Sequence, residues 1–422
     1  MSGSQFSIRG ESTVHFQPLT FLPPHQGGEE WIVGHEASDT AIALPEPGVV
    51  AIQQLQAGAT VAQSRATVRE QCGDDVDVAD LVEGLADLGL VAGIDSWRIG
   101  ADDAIGQRWL AAIPPKAVSW LYSPPLLIVY LALAILGLVV LLLDAAIRPG
   151  ARVLLWSASY SVDTLTLVLV SSLLLLKHEL GHLLAGRGKG LSAELTIGRR
   201  LLYLVAVSKV AAVWKLPRRD RLVIYGAGML NDLVFAGVGS LVIFAAQIHL
   251  LPLSAWASGL IGLLVISEYL GIAWQFQIFM KTDVYHVVAD LTDRHDLPDQ
   301  ARQLVAQSLN RAFSALHLRI VLPVNAAASD EPTDWLTVGY TLLSVIGIGG
   351  TLIWFVVYAI PATTLATTGE LAQLATGLRD GSVWAVLDAT VALALQLFFL
   401  AIFVWSWARD RRAKRRLVTQ VA

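Results

Sequence analysis

Long apolar stretches alternate with polar segments from residue 126 to the end of the chain. Each stretch is close to the roughly 20 residues that an α-helix needs to cross the hydrocarbon core of a bilayer. The pattern therefore predicts a polytopic α-helical membrane protein with about six transmembrane helices. These spans are Leu126–Leu143, Leu165–Ala185, Tyr225–Gln247, Leu253–Phe279, Trp335–Ile360 and Val383–Trp407.

The first 100 residues have a different pattern, with short β-prone runs followed by apolar residues at helical spacing. Strands followed by three short helices predict a small α+β, winged-helix-like domain. The last of these helices ends at Gly89, where an extended segment begins. The predicted elements are strands at 30–35 and 39–44 and helices at 45–55, 60–71 and 77–88.

Polar segments separate these units and give the domain organisation. Residues 186–220 are rich in Gly, Arg and Lys but enclose an apolar run, Leu201–Trp214, that is too short and polar for a confident span. We interpret this run as a strand pair or re-entrant hairpin lying against the site described below. The predicted units are the front domain 1–100, a linker 101–125, the first four spans 126–280, a polar segment 281–333, the last two spans 334–408 and a basic tail 409–422.

Composition agrees with a membrane protein and narrows its class. Hydrophobic residues make up 55% of the chain and charged residues only 15%, which does not describe a soluble enzyme of this size. The single cysteine, Cys72, excludes an internal disulfide. No apolar signal-peptide core follows the initial Met, so we expect the front domain to remain in the cytoplasm.

Lysine and arginine placement predicts the orientation of the spans. The basic tail favours a cytoplasmic C-terminus in the cell (inner) membrane, and six crossings then place the N-terminus on the same side. This arrangement also puts the basic segments 186–220 and 281–333 inside. The basic clusters thus indicate topology and contact with the lipid bilayer, and no nucleic-acid partner is expected.

The second predicted span carries a His-Glu-x-x-His motif, His178-Glu179-Leu180-Gly181-His182. On a helix, the i, i+4 spacing places both imidazoles on one face, where they can bind one metal ion. Glu179 is then positioned to act as general base on a water molecule. Because such a cluster is costly inside a membrane without a role, we expect a zinc hydrolase that works in the bilayer.

Two histidines leave a hydrolytic zinc site one protein ligand short. The fourth span runs towards the same membrane face as His178, and Asp283 follows its predicted end at a plausible depth. Other acidic or imidazole side chains nearby remain alternatives on this reasoning. They are Asp232, Glu268, His286 and Asp290.

The motif HELGH, the stretch Ala227-Gly228-Met229-Leu230-Asn231 on the next span, and an aspartate after the following span resemble the site-2 proteases, which are intramembrane zinc metalloproteases. The resemblance covers residues 165–295. It implies that His178, His182 and Asp283 bind Zn²⁺ and that Glu179 is catalytic. It also implies substrate-binding amides, for which the positions here are Gln275, Gln277 and Asn231. Thr282-Asp283-Val284 replaces the family's Leu-Asp-Gly, and Gln275 stands near its asparagine.

The front domain, over residues 28–95, resembles the PqqD-like domains of peptide-maturation systems. The resemblance rests on the runs 37–44, 49–55 and 78–91, the last ending Leu88-Gly89-Leu90-Val91. In that family a precursor's leader peptide adds as a strand to a sheet edge. The resemblance implies a leader-peptide partner, while a structural cytoplasmic cap without a ligand is the alternative.

Together these features predict a zinc metalloendopeptidase that cleaves a precursor peptide near the cytoplasmic side of the membrane. An alternative keeps the chemistry and changes the substrate to a membrane-anchored regulatory protein that is cut within its span. A second alternative is a non-catalytic membrane scaffold or export component. The intact His178, Glu179 and His182 argue against that last possibility.

Overall fold

The computed structural model describes residues 8–24, 30–36, 38, 40–98, 110, 112–150, 153, 159–200, 203–318, 320–323 and 334–420. Parts of several predicted segments lie outside the described residues. They include residues 1–7, 25–29, 37, 39 and 99–100 of the front domain, 101–109 and 111 of the linker, 154–158 between the first two spans, 201–202 of the apolar run, 319 and 324–333 of the polar segment, and 421–422 of the tail.

Two small antiparallel sheets build the front domain. One has the order β1-β5-β6 and the other the order β2-β3-β4, so β4 is an edge strand. Two strands, β1 and β2, precede those predicted from the sequence. The strands are β1 Val14–Phe16, β2 Leu19–Leu22, β3 Glu30–His35, β4 Thr40–Pro45, β5 Val91–Ile94 and β6 Trp97–Arg98.

Three helices complete the front domain close to their predicted positions: α1 Glu46–Gln56, α2 Val61–Cys72 and α3 Val78–Asp87. Thr60 and Gln63 form a capping box that begins α2, and Asp77 caps α3 through two backbone N–H groups. Their apolar faces bury a core against the sheets that includes Val33, Ile52 and Leu85. The predicted α+β class of this region is thus confirmed.

Six helices are long and apolar enough to cross a membrane, which indicates an integral membrane protein. A short helix, α4 (Pro115–Val118), precedes the first of them. A π-helical turn at Phe355–Ala359 joins α11 to α12, so these two form one continuous candidate span. The long helices are α5 Pro124–Leu143, α6 Tyr160–Gly188, α7 Arg218–Gln247, α8 Ala255–Gln275, α11 Trp335–Trp354 with α12 Ile360–Asp380, and α13 Val383–Gln420.

Several helix ends differ from the sequence prediction. The fifth helix continues 20 residues past the predicted end at 360, and Pro361 comes just after its π-helical turn, where the regular α-helical hydrogen bonding is interrupted. The fourth helix ends at Gln275 rather than at 279, and a 3-10 turn, Ile278–Met280, follows it. Asp283, which the prediction placed just after the end of the fourth span, is the first residue of a separate helix.

That separate helix is α9, Asp283–Thr292, which is followed by α10, Leu297–Ala315. Tyr285 and Ala289 of α9 are buried with Leu297 and Ala301 of α10 and with Tyr340 of α11. The segment between the fourth and fifth spans is thus folded against the start of the fifth, and this packing positions Asp283.

The basic segment after α6 forms an antiparallel hairpin, β7 Ala193–Arg200 and β8 Tyr203–Val210. The apolar run from Leu201 supplies only the second strand, because the first begins eight residues earlier. Strand β8 packs against α6, and an added Cβ at Gly186 would lie 2.4 Å from a methyl group of Val210.

Helix α7 is central among the membrane helices and packs against α5, α6, α8 and α9. Glycines allow the closest approach. A Cβ added at Gly137 of α5 would lie 2.3 Å from the backbone of Gly237 of α7. One added at Gly181 of α6 would lie 2.9 Å from the carbonyl oxygen of Ala227. Small residues at helix crossings are typical of membrane bundles.

Candidate metal centre

Three side chains from two helices converge on one point. His178 and His182 lie one turn apart on α6, with their Nε2 atoms 3.3 Å apart. Asp283, at the start of α9, places Oδ2 3.1 Å from each of these nitrogens. The packing of α9 against α7 brings the carboxylate to the histidines. This group can hold a metal ion.

The distances among the three atoms fit a metal ion. Ligands bonded at about 2.0–2.1 Å in tetrahedral geometry stand roughly 3.3 Å apart. The Oδ2 atom of Asp283 is buried without a hydrogen-bond donor among the described residues. Because the proton of each imidazole belongs to its other nitrogen, three lone pairs face one another here, an arrangement that a cation satisfies.

The Nδ1 atoms of both histidines are held from α7. His178 Nδ1 lies 2.6 Å from Asp232 Oδ2, and His182 Nδ1 lies 2.8 Å from the carbonyl oxygen of Ile224. Each partner is an acceptor, so Nδ1 carries the hydrogen and Nε2 is left for the metal. The three α7 positions that face the motif, Ile224, Gly228 and Asp232, repeat every four residues and so share one helix face.

Gly228 lies between these two supports. A Cβ added there would stand 2.4 Å from His182 Nε2 and 2.6 Å from His178 Nε2. The missing side chain therefore leaves open the space that a bound metal and its fourth ligand need.

A buried ion cluster stands behind His178. Lys177 Nζ donates to Asp232 Oδ1 at 2.8 Å and to Glu268 Oε1 at 2.6 Å. Each charge has an opposite partner, which a charge at this depth requires. The rival ligands Asp232 and Glu268 thus lie outside the three-atom group and bond Lys177 instead. Of the other rivals, Asp290 pairs with Arg221, and His286 stacks on Tyr225.

Glu179 is buried, and its carboxylate is oriented by strand β8. The backbone N–H of Ser208 donates to Glu179 Oε2 at 2.8 Å, and the Ser208 hydroxyl donates to the Glu179 carbonyl oxygen at 3.1 Å. The hairpin thus lies against the site, as the sequence predicted, and it contacts the predicted base itself. One carboxylate oxygen remains for a water molecule.

The three side-chain amides predicted to bind substrate lie in different surroundings. Gln275 Oε1 accepts the backbone N–H of Asp283 at 3.1 Å, while its amide nitrogen lies 3.4 Å from His178 Nε2. Gln275 therefore holds the ligand loop as well as lining the cavity. Asn231 donates to the Lys177 carbonyl oxygen at 3.4 Å, between helices. Gln277 is not among the residues that line the cavity.

A cavity of about 1270 Å³ contains the three ligands and Glu179. Its walls come from the membrane helices α6, α7 and α8, from helix α9 with His295 after it, from strand β8 of the hairpin with Val213 and Trp214 after it, and from strand β4 of the front domain. The volume exceeds the roughly 300–1,000 Å³ typical of small-molecule sites.

Comparison with protein families, with curated proteins and with solved structures finds no match for this chain.

Proposed function

We propose that the chain is a membrane-embedded zinc metalloendopeptidase of the site-2 protease type. The observation that carries the proposal is the convergence of His178, His182 and Asp283 beside the buried carboxylate of Glu179. Two imidazoles and one carboxylate, with room for a fourth ligand, form the donor set of hydrolytic zinc sites. An isolated structural site would need neither the open fourth position nor a cavity of this size.

The chemistry then divides between the ion and the protein. Zinc, when bound, supplies a Lewis acid that polarises the scissile carbonyl and acidifies the attacking water. Glu179 accepts the proton of that water and delivers it to the leaving amine. Ser208 keeps the Glu179 carboxylate turned towards the cavity, and Asp232 keeps Nε2 of His178 facing the metal position.

The proposed substrate is a precursor peptide that reaches the site from the cytoplasmic side. Both the front domain and the basic hairpin border the cavity, and the distribution of basic residues favours placing them in the cytoplasm. A leader peptide bound by the front domain is part of this proposal. A membrane-anchored substrate is the second candidate, because Leu174, Leu175 and Trp274 of the membrane helices also line the cavity.

Substituting the base tests the proposal without removing the metal site. Glu179→Gln keeps an acceptor for the Ser208 N–H but cannot take a proton. We expect wild-type zinc content, with cleavage of a quenched fluorescent library of ten-residue peptides reduced by about 10²–10⁴-fold. Glu194→Gln, on β7, is the matched control and should retain activity.

Removal of a ligand provides the complementary measurement. Asp283→Ala should lower the zinc content of the purified protein from about one ion per chain, since two histidines alone bind more weakly. Unchanged zinc content would move the third ligand elsewhere. Full cleavage by Glu179→Gln would reject the assigned base, and absence of cleavage by the wild-type protein would reject the peptidase. Trapping of membrane-anchored proteins instead of free peptides on Glu179→Gln would select the second candidate.

A further inference from the structure

The metal cavity is bounded partly by the front domain. Ala41, Ile42 and Ala43 of strand β4 line the same cavity as the metal ligands. Within the part of the chain that the structure describes, strand β4 pairs with β3 alone, and its other edge is not covered by another strand. The front domain is thus a wall of the site.

Two contacts hold this wall in place at the turn that follows β8. Lys215 forms an ion pair with Glu36, which lies in the turn between β3 and β4. A Cβ added at Gly34 would lie 2.7 Å from Trp214 Cζ2, so the indole rests directly on β3. The hairpin and the front domain therefore meet beside the cavity, and β4 is fixed relative to β8.

Apolar side chains make up much of the walls at this end. Strand β4 presents Ala41, Ile42 and Ala43, and strand β8 presents Val205, Ala206 and Val207, before the polar Ser208 and Lys209. Methyl and isopropyl groups offer no partner to a charged side chain, which would lose its hydration there. Alanine at two alternate positions of β4 leaves space that a larger residue would fill.

We infer that Ala41 and Ala43 determine specificity, and that the slot between β4 and β8 takes a bulky apolar side chain of the peptide near the scissile bond. The inference rests on the proposed peptidase function and adds the class of residue selected and the wall that selects it. The front domain then acts in substrate selection through direct contact at the catalytic cavity.

Narrowing the slot tests this inference with defined probes. The probes are quenched ten-residue peptides that differ at one position, which carries Ala, Leu, Phe or Asp. For the wild-type protein, we expect kcat/KM for Leu or Phe to exceed that for Asp by about tenfold or more. Ala43→Phe should abolish the advantage of Leu and Phe over Ala, measured as the ratio of their kcat/KM values, while zinc content persists. Ala57→Phe, an exposed position of the same domain outside the cavity lining, is the control.

A second measurement tests the wall even if no peptide is cleaved. A nitroxide is placed at residue 43 or 57 of the full-length chain in a Cys72→Ser background, and Cu²⁺ is added to occupy the metal site. We expect strong broadening of the nitroxide signal at 43, little at 57, and loss of the effect with Asp283→Ala.

The outcomes separate the two proposals. Cleavage by the wild-type protein with an unchanged preference in Ala43→Phe would overturn the specificity role and leave the peptidase standing. Equal broadening at positions 43 and 57 would show that β4 does not border the metal site and would also overturn it. Strong broadening at 43 without any cleavage by the wild-type protein would reject the proposed peptidase function. It would then also reject the specificity role of β4, which rests on that function.

Discussion

Gly228 controls how closely helix α7 approaches the two imidazoles. Gly228→Ala should abolish metal binding, because its Cβ would stand within 2.6 Å of both Nε2 atoms. Metal content of the purified protein measures the effect. Gly226→Ala is the matched control two residues earlier on α7, where an added Cβ meets nothing within 4 Å. Equal metal content in both variants would contradict the assigned geometry.

Asp232 is expected to act on the metal through His178. Asp232→Ala removes the acceptor of the His178 Nδ1 hydrogen and should weaken zinc affinity by about 10–100-fold. Competition with a chelator measures this affinity. Asp144→Ala serves as the control, since Asp144 accepts from Gln247 far from the ligands. Unchanged zinc affinity in Asp232→Ala would mean that the Asp232 carboxylate serves only as a counterion of Lys177.

At the residue level, sequence reasoning succeeded where spacing within one helix decides the geometry. The i, i+4 histidines and the adjacent glutamate need only a helix to be arranged. Asp283 does join them, but as the first residue of a separate helix that follows a turn, and the sequence prediction contained neither that turn nor that helix. For Asp232, the sequence left a metal ligand and a bond across helices as alternatives, and its contacts with Lys177 and His178 of α6 agree with the second.

The close crossing of α5 and α7 depends on two glycines, Gly137 and Gly237, which have no side chain. Gly137→Ala places a Cβ 2.3 Å from the backbone of Gly237 and must push the helices apart. Overpacking of this kind costs about 1–3 kcal/mol, so the thermal midpoint in detergent should fall. Gly259→Ala on α8, which meets nothing within 4 Å, should leave the midpoint unchanged. Equal midpoints for the two variants would contradict the close crossing.

The existence of elements was predictable, whereas their ends often were not. Uninterrupted apolar runs indicate spans, and all six have a corresponding helix. Helices α6 and α7 begin earlier than hydropathy indicates, at Tyr160 and Arg218. Their first turns contain polar residues, which can be helical without being part of the apolar run. The extension of the fifth helix to Asp380 lies beyond any hydropathy rule, since Thr-rich turns remain helical by packing against α13.

Docking of the front domain is a property of the whole molecule. Glu36 and Lys215 are distant in sequence, so the sequence offered no reason to pair them. Glu36→Lys should set two like charges against each other and loosen the contact, which increased hydrogen exchange in β3 and β4 would report. Adding Lys215→Glu should restore protection, with a coupling of about 0.2–1 kcal/mol, as for ion pairs near the surface. Equal exchange in the single and double variants would exclude this ion pair as a docking contact.

The buried ion cluster also has a consequence for biosynthesis. The ribosome synthesises Lys177 before Asp232 and Glu268. Helix α6 therefore enters the bilayer with the charged Lys177 side chain lacking a counterion. A lysine at the centre of an inserted helix costs about 2.5–3.5 kcal/mol. The nascent chain should therefore be vulnerable to quality-control proteolysis until α8 has been synthesised. Pulse-chase labelling should show faster degradation of chains ending at residue 250 than at 280, a difference that Lys177→Leu removes.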